Sequence, residues 1–303
     1  MSNGAVVLAA SYAVLMADLD EIDGSPVVHV VLSVEPAQVE LAADFLMQLG
    51  ARAVEERTIG QQVELWAVIG DLEASDRCIA SCVGKWAGRV EWVDNTLSDA
   101  WKEFAQAVDV NPDLTIVPSW NQVDSSDDSS DSSRTVILID PEESFGLGDH
   151  PTTRLVADML WRHVDPGMSV LDMGSGSGVL SIVAARQGAT RVLGIDRSSG
   201  AVTAAERNAV RNSVVGQTEF QHGSAVPHGE MFDLIAANIL APVLLDLSDS
   251  IVQAVESGGL IILSGLHEDR SEHVVERYVT LGCQVVEEMI LDSWCSVLMR
   301  RTK

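Results

Sequence analysis

The pattern of apolar and polar residues changes near residue 140 and divides the chain into two parts. Beyond that point, short apolar runs alternate with amphipathic segments of helical period. The predicted strands cover 168–172, 191–195, 217–221, 232–237 and 259–264, and the predicted helices cover 152–163, 178–187, 199–213, 241–256 and 268–281. Two further strand-like runs, 284–290 and 295–300, are divided by a short turn. We therefore predict an α/β fold with a doubly wound seven-stranded sheet that ends in an antiparallel hairpin.

The first part of the chain has a different order of elements. Its pattern predicts strand 27–34, helix 36–49, strands 51–55 and 63–69, helix 72–86 and strand 89–93. This βαββαβ order is typical of a ferredoxin-like α+β domain, assigned to residues 26–96 after an N-terminal extension of residues 1–25. A linker helix is predicted over 97–113, with its core at 97–107, and the second domain covers residues 114–303.

Residues 121–133 are rich in aspartate and serine and include one apolar residue. Such a segment cannot bury enough apolar surface to offset the entropy lost on ordering, so we predict a disordered acidic loop. The runs 114–117 and 135–139 on either side have strand character, so we interpret the loop as an enlarged hairpin tip. A docking role for a basic partner is the alternative to a purely solvated loop.

Composition and charge restrict the partners of the protein. The chain has 303 residues, of which 47% are hydrophobic, and a formal net charge of −26. A non-specific binder of nucleic-acid backbones needs clustered Lys and Arg, so we expect no direct nucleic-acid specificity and a basic protein as partner. A salt-adapted source is the alternative explanation, because the basic residues are almost all arginines.

The cysteines and the N-terminus indicate the compartment. The four cysteines form no C-x-x-C pair, and the apolar run 4–17 lacks a basic flank and is too short to span a bilayer. We expect a reduced, cytoplasmic, monomeric protein without a membrane segment.

A glycine-rich turn follows the predicted strand 168–172. The dinucleotide fingerprint G-x-G-x-x-G fits Gly174 and Gly176 but fails at Val179, where a side chain crowds the helix approach to a pyrophosphate. Asp172 places a carboxylate at the mouth of the turn, which repels phosphates and attracts a cation. S-adenosylmethionine (SAM) carries an ammonium and a sulfonium, so these residues are candidates for a SAM site. An ordinary tight turn is the structural alternative.

The next predicted strand ends in Asp196. Its carboxylate can accept hydrogen bonds from both ribose hydroxyls of a nucleoside cofactor. This acid and the glycine turn together favour a nucleoside site, and NAD stays open on this feature alone.

Asn238 follows the predicted strand 232–237, at the end where a doubly wound sheet opens over its cofactor. Its amide oxygen can hold an amine while its NH2 group contacts the cofactor or the backbone. No aromatic residue follows to stack on a nucleobase, so an aliphatic amine is the favoured substrate. Capping of the next helix is the alternative role.

The loop 144–153 precedes the first helix of the second domain and carries two glycines and a Thr152-Thr153 pair. The threonines either cap that helix or belong to a loop that closes over the cofactor, and His150 is interpreted as a hydrogen-bond anchor. The sequence contains no H-E-x-x-H, paired C-x-x-C or G-x-S-x-G motif, so we expect neither a metal site nor a hydrolase.

Together these motifs resemble the PrmA-type methyltransferases that modify ribosomal protein L11. The likeness extends over residues 114–301 and is carried by 145–153 (FGLGDHPTT), 170–180 (VLDMGSGSGVL), 194–196 (GID) and 237–241 (ANILA). Three departures are Gly-Leu-Gly-Asp in the loop, where the family usually has Gly-Thr-Gly-Thr, Ser175 in the turn, where cysteine is common, and an acidic loop that is longer than usual.

The resemblance implies a class I SAM-dependent methyltransferase domain and a ferredoxin-like domain that recognises the protein substrate. It implies SAM contacts at Thr153, Gly174, Asp196 and Asn238, to which the turn adds Asp172 and Gly176. The expected reaction is in-line transfer of methyl groups to lysine or terminal amines, with Asn238 holding the neutral amine and water taking its proton. The alternatives are a SAM enzyme for another protein or small amine, a non-catalytic SAM-binding ribosome-associated protein, and an NAD oxidoreductase.

Overall fold

The structure is a computed structural model that describes residues 27–51, 54–60, 62–93, 105–121, 134–142 and 146–302. The predicted N-terminal extension, most of the predicted helix core 97–107 and all but the first residue of the acidic loop lie outside the described residues. The chain divides into two compact units, one formed by residues 1–105 with 142–145 and the other by residues 106–141 with 146–303.

The first unit contains a four-stranded antiparallel sheet with two helices. Its elements are β1 (Val27–Val34), α1 (Val39–Gln48), β2 (Val54–Ile59), β3 (Gln62–Ala67), α2 (Leu72–Cys82) and β4 (Ala87–Val93). The strand order is β2-β3-β1-β4. Val30, Leu32, Leu46 and Cys78 belong to the core that lies between the sheet and its helices. The βαββαβ order is the one predicted, although β2 begins three residues later than expected.

The second unit begins with a small sheet of β5 (Val108–Asn111), β6 (Leu114–Pro118) and β7 (Thr135–Ile139). The linker helix predicted over 97–113 is wrong at its C-terminal end, since two valines alternate there with Asp109 and Asn111 in strand period. The hairpin interpretation of the acidic loop is also wrong. β6 pairs parallel with β7, and a hairpin tip joins antiparallel strands.

A seven-stranded mixed sheet forms the centre of the second unit. Its strands are β8 (Ser169–Met173), β9 (Arg191–Asp196), β10 (Thr218–His222), β11 (Phe232–Asn238), β12 (Val255–His267), β13 (Cys283–Leu291) and β14 (Trp294–Arg301). The order is β10-β9-β8-β11-β12-β14-β13, in which the first five strands are parallel and β14 runs antiparallel to both of its neighbours. The predicted α/β class is confirmed.

Helices cover both faces of this sheet: α3 (Pro151–His163), α4 (Val179–Gln187), α5 (Ser199–Arg211), α6 (Ala241–Asp246), α7 (Ser248–Ala254) and α8 (Ser271–Thr280). Neighbouring strand residues enter opposite cores, since Val170 packs with α3, α4 and α5 while Leu171 packs with α6, α7 and α8. Among the described helices, none is long and apolar enough to cross a membrane.

Two predicted helices differ from the structure. The helix predicted over 241–256 is divided into α6 and α7, where the Ser248 hydroxyl donates to the Leu245 carbonyl at 2.8 Å and competes with the helical hydrogen bonds. The helix predicted over 268–281 begins with a 3-10 turn, Glu268–Arg270, because β12 extends to His267.

Candidate functional site

The carboxyl ends of four neighbouring parallel strands place the predicted site residues at one edge of the sheet. In the pairing register, Met173 lies beside Ile195 and beside Ala237, and Asn238 lies beside Ser264. Gly174, Asp196 and Asn238 follow or end these strands. The structure therefore brings together three residues that are far apart in the sequence, at the edge where doubly wound sheets bind ligands.

The glycine turn after β8 needs its glycines for two physical reasons. Gly174, Gly176 and Gly178 have φ angles of +75°, +51° and +80°, a region in which side chains are strained. A Cβ at Gly174 would lie 2.4 Å from Cγ2 of Ile239, and one at Gly178 would lie 2.8 Å from Cβ of Ala205. The turn thus brings bare backbone close to the strand ends and leads directly into α4.

Asp196 fastens this turn to the end of β9. Its Oδ2 accepts from the Gly176 N–H at 2.9 Å, and its Oδ1 accepts from the Ser198 N–H at 2.9 Å. Each carboxylate oxygen can accept more than one hydrogen bond, so both still have capacity for a ribose hydroxyl. The candidate cofactor acid therefore also shapes the turn, a role that the sequence did not indicate.

The loop before α3 reaches the turn through a hydrogen bond. The Ser177 hydroxyl donates to the Gly146 carbonyl at 2.6 Å. His150 is the N-cap of α3, and its Nδ1 accepts from the Thr152 N–H at 3.3 Å, which confirms the anchor interpretation. Capping by the threonines is wrong. The Thr153 hydroxyl is buried without a hydrogen-bond partner among the described residues, while residues 144 and 145 lie outside them.

Asn238 is half-buried at the end of β11. The next helix, α6, has Leu240 as its N-cap and no side-chain cap, so the capping alternative for Asn238 is wrong. Beyond its partner Ser264, the chain of β12 passes against the segment after Asn238. A Cβ on Gly265, where φ is +80°, would lie 2.4 Å from the Ile239 carbonyl oxygen.

Asp172 lies beneath the turn instead of at its open mouth, since it is only 1% exposed. Its Oδ2 accepts from the Ser181 hydroxyl at 2.6 Å, and its Oδ1 has no partner among the described residues. Burial raises the pKa of this carboxyl to about 6, and the charge of Asp196 adds to the rise. The position predicted from the sequence, at the open mouth of the turn, is therefore corrected.

The comparisons with known proteins agree with this geometry. The family model described as ribosomal protein L11 methyltransferase (PrmA) matches residues 26–302. The chain belongs to this family. The resemblance recognised in the sequence motifs is confirmed, and with it the assignment of the protein as a methyltransferase.

Relatives and a solved structure show how far the similarity extends. The ribosomal protein L11 methyltransferase of Chloroflexus aurantiacus is 36% identical over 229 residues, which cover 67% of this chain and 68% of the relative. That of Halalkalibacterium halodurans is 35% identical over 216 residues, which cover 70% of this chain and 66% of the relative. The crystal structure of the ribosomal protein L11 methylase from Lactobacillus delbrueckii subsp. bulgaricus superposes with a TM-score of 0.60 at 30% identity, over 65% of this chain and 100% of that one.

Sequence reasoning missed a buried amide that connects three segments of the candidate site. Asn208 on α5 donates from Nδ2 to the carbonyls of Asp140 at 2.7 Å and Ser177 at 2.9 Å, and its Oδ1 accepts from the Asp140 N–H at 3.0 Å. The signal was available in the sequence, because Asn208 lies four residues after Ala204 on the apolar face of α5.

The Asp172→Asn substitution is expected to change how the stability of this methyltransferase depends on pH. The folded protein holds the Asp172 proton more tightly than the unfolded chain does, so its stabilising contribution is complete below about pH 4 and is lost as pH rises through about 6. The amide of the Asp172→Asn variant stays neutral over this whole pH range, so it has no such pH dependence. Urea unfolding should therefore show Asp172→Asn to be more stable than wild type at pH 7, by about 2–3 kcal/mol, and nearly equal to it at pH 4. A constant difference across this range would contradict the buried carboxyl.

The Gly265→Ala substitution is expected to cost at least about 3 kcal/mol of folding free energy, because the new Cβ meets a backbone carbonyl that cannot rotate away. Chemical denaturation measures the loss. Gly216→Ala is the matched control, since no heavy atom lies within 4 Å of the added Cβ and its φ is not positive. Equal stabilities for the two variants would show that β12 does not press against Ile239.

Proposed function

We propose that the protein binds SAM at the carboxyl edge of its seven-stranded sheet and transfers methyl groups to lysine or terminal amines of ribosomal protein L11. The relatives that bear this name support the substrate. The second unit would be the class I methyltransferase domain, and its strand order supports this assignment. The first unit would be the ferredoxin-like domain that recognises the substrate, as its antiparallel order β2-β3-β1-β4 suggests.

The observation that carries the cofactor assignment is a set of three buried polar atoms on the elements of the site. Thr153 Oγ1, Asp172 Oδ1 and Ser175 Oγ have no hydrogen-bond partner among the described residues. Buried polar atoms are costly without a partner, and a cofactor with an amino-acid group and a ribose can supply one. The residues present therefore fit SAM, which would bring a methyl group that is activated by its positive sulfur.

Each residue of the proposed site would have its own role in binding. Gly174 and Gly176 present the backbone of the turn, Asp196 accepts the ribose hydroxyls, and Asn238 holds the acceptor amine through its amide oxygen. Thr153 and Asp172 complete the cofactor contacts. The net charge of −26 attracts a basic ribosomal protein and disfavours a nucleic-acid substrate. A cytoplasmic monomer fits this function.

Incubation of the protein with methyl-labelled SAM and separated ribosomal fractions tests the proposal. Label should enter one small basic protein and should be found on lysine or on the terminal amine after digestion. Label only in small molecules would support the alternative substrate class, and tight SAM binding without any transfer would support a non-catalytic binding protein.

A further inference from the structure

We propose that His267, oriented by Asp269, accepts the proton that the substrate amine must lose before it is methylated. This inference rests on the proposed function, because it concerns the amine that Asn238 would hold. It replaces water as the first proton acceptor with a side chain of this protein.

A cluster of aromatic rings lies beside the candidate site. The indole of Trp294, the first residue of β14, contacts two imidazoles edgewise: the centroid of His150 lies 5.0 Å away, and that of His267 lies 6.0 Å away. His150 caps the helix that carries Thr153, and His267 ends the strand that pairs with Asn238 through Ser264. The cluster therefore connects the loop before α3 to the carboxyl ends of β11 and β12.

The two histidines have different surroundings and can do different chemistry. His150 is largely buried, which lowers its pKa to about 4, and its Nδ1 is occupied at the start of α3. It stays neutral at neutral pH, and its role is to cap the N-terminus of α3. His267 is 40% exposed, so its ring can exchange a proton with solvent. Only the second histidine of the pair combines access to water with a polar partner that orients it.

Asp269 sets the tautomer of His267. Its Oδ1 lies 2.6 Å from Nδ1 of the imidazole, and this hydrogen bond holds the pKa of the carboxyl below its usual range. Because an ionised carboxylate can only accept, Nδ1 carries the proton and Nε2 is left as the basic nitrogen. A carboxylate behind a histidine also stabilises the imidazolium that forms when Nε2 takes a proton.

The position of His267 suits this task. Gly265 lies against the backbone that follows Asn238. His267 is two residues further along β12, so its Cα lies about 7 Å from that of Gly265 at the rise of an extended chain. The charged or titratable groups beside the ring are Asp269, which pairs with it, Arg270, which pairs with Asp269, the chain neighbour Glu268, and His150 on the other side of Trp294.

An N–H bond of the substrate ammonium breaks, and its proton moves to Nε2 of His267, which leaves a neutral amine with a free lone pair. That pair forms the new N–C bond to the methyl carbon while the C–S bond breaks and its electrons remain on sulfur. The imidazolium then releases its proton to water from its exposed side. Each further methylation of the same nitrogen needs one more proton transfer.

The test compares His267→Gln with His273→Gln, a matched control on the exposed surface of α8. We expect His267→Gln to lower kcat about 100-fold, the lower limit for a positioned base, with KM for the protein substrate and Kd for SAM changed less than threefold. His273→Gln should match wild type. Added imidazole should restore part of the kcat of His267→Ala.

A second measurement needs no turnover. Nitrogen NMR of the imidazoles should show His267 protonated at Nδ1 in wild type and predominantly at Nε2 in Asp269→Ala. A kcat for His267→Gln within threefold of wild type, or an Nε2–H tautomer in wild type, would overturn the inference alone. Absence of methyl transfer by the wild-type protein would overturn the proposed function and this inference with it.

Discussion

Asn238→Ala is expected to lower kcat for methyl transfer by about 100-fold to 1000-fold, the range found when a single positioned hydrogen-bonding group is removed from an active site. The amide oxygen would hold the amine in line with the methyl group, and alanine offers no acceptor there. Because its NH2 group would touch the cofactor, a smaller loss of SAM affinity, within about tenfold, should accompany the loss of turnover. Single-turnover kinetics measures the loss of turnover, and calorimetry measures the loss of SAM affinity.

Gln221→Ala is the matched control for Asn238→Ala. Gln221 carries the same amide on the parallel strand β10, is exposed, and donates to Glu219 at 2.9 Å. Its loss should leave kcat unchanged. Wild-type turnover in Asn238→Ala would exclude the amide as the group that holds the amine and would favour the backbone at Ile239 and Leu240 instead.

Asp196→Ala is expected to weaken SAM binding by at least about 100-fold. The variant loses the carboxylate that would accept the ribose hydroxyls, and it also releases the Gly176 and Ser198 N–H groups that fix the turn. Hydrogen bonds to a charged group contribute about 1.5–3 kcal/mol each, and about 1.4 kcal/mol corresponds to tenfold in affinity.

Calorimetry with SAM and with S-adenosylhomocysteine measures the effect of Asp196→Ala. Glu219→Gln is the control, since it removes one acidic charge from the exposed side of the neighbouring strand. If both variants lose affinity equally, the effect comes from the total charge of the protein and Asp196 makes no direct contact. If Asp196→Asn retains most of the affinity, the geometry of the turn matters more than the charge of the carboxylate.

The strands and the residues at their ends could be predicted because their signals are local. Gly174, Asp196 and Asn238 each follow an apolar run, and a doubly wound sheet places such ends at one edge. The parallel pairing of β6 and β7 could not be predicted, since strand direction depends on the path of the chain between them. The break between α6 and α7 depends on the Ser248 hydroxyl, which donates to the Leu245 carbonyl instead of to solvent.

The environment of a side chain was harder to predict than its position. The sequence predicted Asp172 at the open mouth of the turn, but packing against α4 and β9 buries it beneath the turn. The ring cluster of His150, His267 and Trp294 unites three distant parts of the sequence, and no spacing rule connects them. Long-range packing therefore determines which acid has its pKa raised by burial and which histidine stays accessible to solvent.

The parallel pairing of β6 and β7 sets a lower limit on the length of the chain that joins them. After Pro118 the backbone must return along a five-residue strand, about 17 Å, before Thr135 can enter beside Leu114. At 3.3–3.6 Å per extended residue, at least about five residues are needed for the return. The segment 119–134 is longer than this limit, and the length that the pairing requires does not account for its four aspartates.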